Sequence, residues 1–117
     1  MKFYVLLFFI SFSISCRSRQ EFDKAKWSEV GDLMTFPNRN SMLSDLTDNY
    51  NLKTMSYSQV IGLLGQPQYV QENGKVIEYD IDKKYGTDID PVYIKAMTVS
   101  FNTNLTVQKV EIKEWRK

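Results

Sequence analysis

Histidine is absent from this 117-residue chain, and cysteine occurs once, as Cys16. Without histidine there are no His-based catalytic triads. The commonest general acid–base group and the commonest metal ligand are also missing. A single cysteine leaves no internal disulfide, so a small fold has to rest on its packed core alone. Charge of one sign is lacking too: Lys and Arg number 15 and Asp and Glu 14. Lys2 is the one charge before Ser15, so removal of that stretch leaves acids and bases in balance. A neutral surface exerts no long-range pull on phosphate, and nucleic acid is not expected as a partner. The length allows one domain at most.

What is present begins with a leader. Met1-Lys2 precedes the mostly apolar run Phe3 to Ile14, the charged and hydrophobic regions of a secretory signal. The run is too short to cross a bilayer core of about 30 Å. Ser13-Ile14-Ser15-Cys16 then resembles a bacterial lipoprotein signal box. Ser15 fits the position before the cysteine, and Ser13 stands where that family usually has Leu. The resemblance implies cleavage after residue 15 and acylation of Cys16, which would become the amino terminus. An ordinary secreted protein with a free thiol is the other reading of the same residues. Arg17 after the cysteine, in place of an Asp retention signal, favours the outer membrane.

Residues 16–37 read as a tether and approach segment. The polar run RSRQEFDKAK has no apolar period. Trp27, Val30, Leu33, Met34 and Phe36 are too apolar for a free linker, so part of the segment is expected to lie against the domain that follows.

That domain, residues 38–117, starts with a helix expected over Ser41 to Tyr50. Leu43, Leu46 and Tyr50 recur at helical spacing with Met42 beside them, while Arg39, Asp45 and Asp48 take the other face. Asn49 and Asn51 suit a left-handed cap. A second helix follows Ser56. Ser56 and Gln59 form a capping box, and Met55 and Val60 are placed for a hydrophobic staple. Val60, Ile61, Leu63 and Leu64 supply its buried face, Gly65 a left-handed end and Pro67 a stop.

Strand material fills the rest. Asn73-Gly74 between two extended runs signals a hairpin. Ile77, Tyr79 and Ile81 alternate onto one face, with Glu78 and Asp80 on the other. A loop is expected over Asp82 to Pro91. The next strand, Val92 to Asn102, puts Tyr93, Met97, Val99 and Phe101 on one face, interrupted by Lys95, with Ile94 and Ala96 opposite. From Leu105 to Trp115 the apolar phase shifts between Val107 and Val110, as a bulge near Gln108 would cause. The expected fold is α+β: two short helices packed on a three- to four-stranded antiparallel sheet in the order α-α-β-β-β-β.

Arg39-x-x-Met42-x-x-Asp45-Leu46, Leu52-Lys53-x-Met55-Ser56 and Val60-x-x-Leu63-Leu64-Gly65-x-Pro67 together resemble the SmpA/OmlA, or BamE-like, family of small outer-membrane lipoproteins. Asp90-Pro91-x-Tyr93 and Val99-x-Phe101 add to the likeness, which covers about Asn38 to Trp115. It implies a two-helix, antiparallel-sheet domain, a form also repeated in β-lactamase inhibitory proteins. It also implies work by binding other proteins, in some members beside the machinery that inserts outer-membrane barrels.

Catalytic chemistry has little to stand on. Asp80, Asp82, Asp88 and Asp90 cluster in sequence. However, Lys83 and Lys84 interrupt any calcium-loop spacing, no bidentate Glu follows, and no cleft is evident for paired-carboxylate hydrolysis. No catalytic residue, cofactor or metal is expected. Tyr85, Tyr93 and Trp115 are the candidate partner-binding residues, since Tyr and Trp are enriched at interfaces; completing a thin core is the other use for them. Lys113, Arg116 and Lys117 read as a solvated end. The expectation is a lipid-anchored envelope protein facing the periplasm, not an enzyme, that serves as an interaction or assembly accessory. Its alternatives are a small-ligand or peptidoglycan-binding lipoprotein and an enzyme-inhibitor-like module.

Overall fold

The structure, a computed structural model, describes residues 19–87 and 89–117. The leader, Cys16 and Asp88 lie outside them.

Asp23 opens a one-turn helix α1, Lys24–Trp27, by accepting from the Ala25 and Lys26 amides at 2.9 and 3.3 Å. The turn carries Trp27 into the core, where it is wholly buried. Phe22 packs beside it, with ring centroids 5.7 Å apart, and also meets Tyr50 edge-on at 5.3 Å. The approach segment thus supplies core side chains. Val30, Leu33 and Met34 stay exposed.

Helix α2 spans Arg39–Asn49 and buries Met42, Leu43 and Leu46. It starts earlier than expected and does not end in a left-handed cap. Tyr50 closes it in an extended conformation (φ −111°, ψ 118°), and a 3-10 turn, Leu52–Thr54, follows. Arg39 is the main departure from expectation. It sits on the buried stripe, not the solvent face, and is only 2% exposed.

Helix α3, Tyr57–Leu64, has the expected capping box. Ser56 Oγ accepts from the Gln59 amide at 3.2 Å, and Gln59 Oε1 accepts from the Ser56 amide at 2.8 Å. Gly65 has positive φ as expected, but at φ 82°, ψ −169° it lies outside the left-handed helical region. Only glycine visits that region readily.

Four strands follow in the order β1-β2-β3-β4, each antiparallel to its neighbour: β1 Tyr69–Gln71, β2 Val76–Tyr85, β3 Pro91–Phe101 and β4 Val107–Arg116. The fold is α+β, short helices on one four-stranded sheet. Asn73 and Gly74 both take positive φ at the first hairpin, with residues 72–75 between the paired Gln71 and Val76. β2 continues to Tyr85, so Asp82 to Tyr85 belong to a strand, not to the expected loop. Bulges shift the register near Ile81 and at Gln108, where Ser100 pairs Lys109 but Phe101 pairs Val107.

Ile77, Tyr79, Met97, Val99 and Phe101 line the helix side of the sheet and are buried against Trp27, Met42, Leu46, Val60 and Leu64. Met55 and Tyr57 run alongside the start of β4. The Val107 amide donates to Met55 O at 2.9 Å, and the Tyr57 amide to Leu105 O at 2.8 Å. This joins the cap of α3 to the last hairpin.

Candidate functional site

Strand parity decides which residues share a surface. Tyr93 pairs Arg116 and Ile94 pairs Trp115, so Tyr93 and Trp115 lie on opposite faces of the sheet. Tyr93 is on the helix side, 9% exposed. Its hydroxyl donates to Glu114 Oε1 at 3.0 Å, and the Arg116 guanidinium covers its ring at 4.5 Å. Burial, then the Glu114 contact, push its pKa up. Tyr93 therefore completes the local packing and offers a partner little surface. Tyr85 is half-buried at the end of β2, opposite Pro91 and beside a register shift. The three residues proposed from sequence do not converge on one site.

Trp115 does face outward. It is half exposed and stands across from Ile94, with Val92 partly exposed further along β3. Asp90, Pro91, Ile94, Trp115 and Lys117 line a shallow hollow at this end. The outer face of β3 and β4 continues with Ala96, Thr98 and Ser100 beside Lys113, Glu111 and Lys109. On this face Ala96 and Thr98 are buried, each flanked by longer residues on both sides, Lys113 and Glu111 of β4 and Asp80 and Glu78 of β2. The result is a flat, largely polar face with an apolar end.

Asp80 and Asp82 sit in β2 and pair with Lys83 and Lys84 at 3.3 and 3.2 Å. Among the described residues no three His, Cys, Asp or Glu side chains gather as a metal site would require.

The feature that sequence reasoning missed is Arg39. Its guanidinium lies 3.6 Å from the Phe36 ring centroid and 4.6 Å from that of Trp27. Nε donates to Trp27 O at 2.9 Å; Nη1 donates to Asp80 O at 2.8 Å and Gln68 Oε1 at 2.7 Å. Gln68 Oε1 also accepts the Asp80 amide at 2.9 Å. Burial pushes the Arg39 pKa down to about 10, opposed by the Asp80 charge. The group remains a cation at neutral pH. Its donors go to fixed backbone and amide oxygens, so it joins the approach segment, α2 and the sheet rather than presenting charge to a ligand. A signal was available: Arg39, Met42, Leu43 and Leu46 fall at i, i+3, i+4 and i+7, one buried stripe.

Tyr79 is likewise structural. Its hydroxyl donates to Gly65 O at 2.8 Å, and burial pushes its pKa up. Among the described residues no helix is long and apolar enough to cross a membrane. Comparisons with protein-family models, curated proteins and solved structures find no match for the chain.

Proposed function

We propose that this chain is a lipid-anchored cell-envelope protein that acts by binding another protein, as an interaction or assembly accessory and not as an enzyme. The observation that carries the reading is the one-sided sheet. Its helix side is filled by the core, while its outer side ends in the exposed Trp115, paired with Ile94 and flanked by Val92. An aromatic anchor in an apolar hollow, bordered by polar residues, is the usual make-up of a binding hot spot. Among the described residues, the groups with shifted acidity that lie in or beside the core, Arg39, Tyr79 and Tyr93, are each engaged in packing. The signal-like residues before Cys16 support anchoring through acyl chains, each buried methylene contributing about 0.8 kcal/mol. The BamE-like motifs in α2 and α3 support a place at the outer membrane, facing the periplasm, among the components that assemble outer-membrane proteins.

The test is affinity purification of the full chain from detergent-solubilised envelope membranes. Stoichiometric recovery of outer-membrane assembly components, lost in Trp115→Ala, is the expected result. A clean monomer carrying bound glycan would instead favour a peptidoglycan-binding lipoprotein. The anchor is tested separately by Cys16→Ser, which should abolish acyl labelling and release the protein from the membrane. Retained label and attachment would refute the lipoprotein reading.

A further inference from the structure

The two edges of the sheet are unequal. β1 spans only Tyr69–Gln71, whereas β4 spans Val107–Arg116 and, beyond the Met55–Tyr57 contact at its start, pairs among the described residues with β3 alone. The Lys117 amide donates to Val92 O at 3.0 Å. Hydrogen-bonded pairs alternate in an antiparallel ladder. In the register observed, Lys109, Glu111, Lys113 and Trp115 therefore bond to β3. Val110, Ile112 and Glu114 turn their N–H and C=O groups to the free side.

We propose that two copies of this chain pair β4 against β4, antiparallel, about a two-fold axis at Ile112, joining two four-stranded sheets into one. The sequence of the edge selects this register. An axis can pass through a hydrogen-bonded or a non-hydrogen-bonded pair, but one at Glu111, Lys113 or Arg116 sets two like charges directly opposite, and one at Trp115 leaves only the last few residues overlapping. An axis at Glu114 sets two carboxylates directly opposite, which is unfavourable. An axis at Val110 drives Glu114 onto Thr106, whose free side is already bridged to Ser56. An axis at Ile112 places Glu111 of each copy against Lys113 of the other, twice. These are non-hydrogen-bonded positions, where facing side chains come closest, with Cα atoms about 4.5 Å apart. Lys109 then faces the Trp115 ring of the second copy. On the helix side Ile112, 39% exposed in the single chain, is covered by its own counterpart. The neighbouring 3-10 turn, Leu52–Thr54, lies close to β4 and buries Leu52 in the core.

The occupant is a second copy and not an unspecified strand because this alignment sets the alternating charges of β4 against their opposites and leaves the Ser56–Thr106 bridge in place. The proposal stands apart from the partner reading above, since it rests on the edge of β4 and not on the Ile94–Trp115 hollow.

Sedimentation velocity of the full chain in excess detergent, over a concentration series, tests it. Wild type should dimerise. Glu111→Lys and Lys113→Glu should each weaken the dimer by about tenfold or more, because each creates two like-charge pairs. The double variant restores both opposite-charge pairs and should return to within about threefold of wild type. The Ile112→Cys variant should form a disulfide-linked dimer under mild oxidation, its Cα atoms lying about 5.5 Å apart across the axis. Trp115→Cys, far from its own counterpart, should not. A wild type that stays monomeric at every concentration overturns the proposal. So does a double variant no better than the singles, or an Ile112→Cys variant that fails to cross-link.

Discussion

Arg39 holds Trp27 in two ways: Nε donates to the Trp27 carbonyl at 2.9 Å while the guanidinium lies 4.6 Å from the indole centroid. A backbone bond fixes where the approach segment passes, and the stacking fixes the ring that it buries. Removing the guanidinium also takes its donor from Asp80 O and leaves Gln68 Oε1 with the Asp80 amide alone. Arg39→Ala is expected to cost about 2–4 kcal/mol, the range for leaving several buried acceptors unpaired. Arg39→Lys should recover little, since one ammonium cannot reproduce the planar fork. Thermal unfolding of the two variants checks both statements.

Trp27 itself is wholly buried, yet its indole Nε1 has no hydrogen-bond partner among the described residues. The ring contributes through packing, and its N–H detracts. Trp27→Ala should lose about 3–5 kcal/mol, the usual cost of emptying a large aromatic site. Trp27→Phe should lose much less than that, because it discards the unpaired donor along with part of the ring. Equal destabilisation by the two variants would show that the N–H finds an acceptor in solution.

Gly62 and Gly65 make a matched pair with opposite expectations. A Cβ at either position meets nothing within 4 Å. Gly62 lies inside α3, so Gly62→Ala should stabilise by about 0.5–1 kcal/mol. Gly65 at φ 82°, ψ −169° requires a conformation that a side chain resists, and Gly65→Ala should destabilise by about 1–3 kcal/mol. Denaturant midpoints of the two variants should move in opposite directions.

Asp45 ties the approach segment to α2 from the other side. Its Oδ2 accepts the Phe22 amide and its Oδ1 the Asn49 side chain, both at 2.7 Å, and these bonds hold its pKa below the ordinary value. A carboxyl with a lowered folded-state pKa binds its proton less readily in the folded chain. Its stabilising effect is complete above the ordinary carboxyl range and is lost as pH falls through the lowered value. The Phe22 amide resonance should titrate in that acid window in wild type. In Asp45→Asn it should stay flat.

Much of this architecture can be read locally. The capping box at Ser56 and Gln59, the positive φ at Asn73 and Gly74, and the bulge opposite Phe101 each follow from a few adjacent residues. The features that could not be read that way depend on distant partners. Arg39 looks solvent-facing by residue type, and its aromatic cage comes from Phe36, Trp27 and Tyr79. The end of β2, Asp82 to Tyr85, is held by its register with β3 and by lysine–aspartate pairs, with no apolar alternation to mark it as strand. Trp27 is delivered by a single helical turn, too short to show a period. The separation of Tyr93 from Trp115 follows from parity alone, since the two are adjacent in space across β3 and β4 but point to opposite faces. Of the two, Trp115 is the one that faces outward, on the side away from the helices.

The bonds between Met55 and Val107 and between Tyr57 and Leu105 bear on how the chain reaches this state. A helix start and a hairpin turn, far apart in sequence, complete each other's backbone bonding. Neither can be fully formed while the other is open. Closing that contact from an unfolded chain carries a loop-entropy cost that a local helix or hairpin does not. Once closed, the Tyr57 and Val107 amides should exchange with solvent through one shared opening, as members of a single cooperative unit.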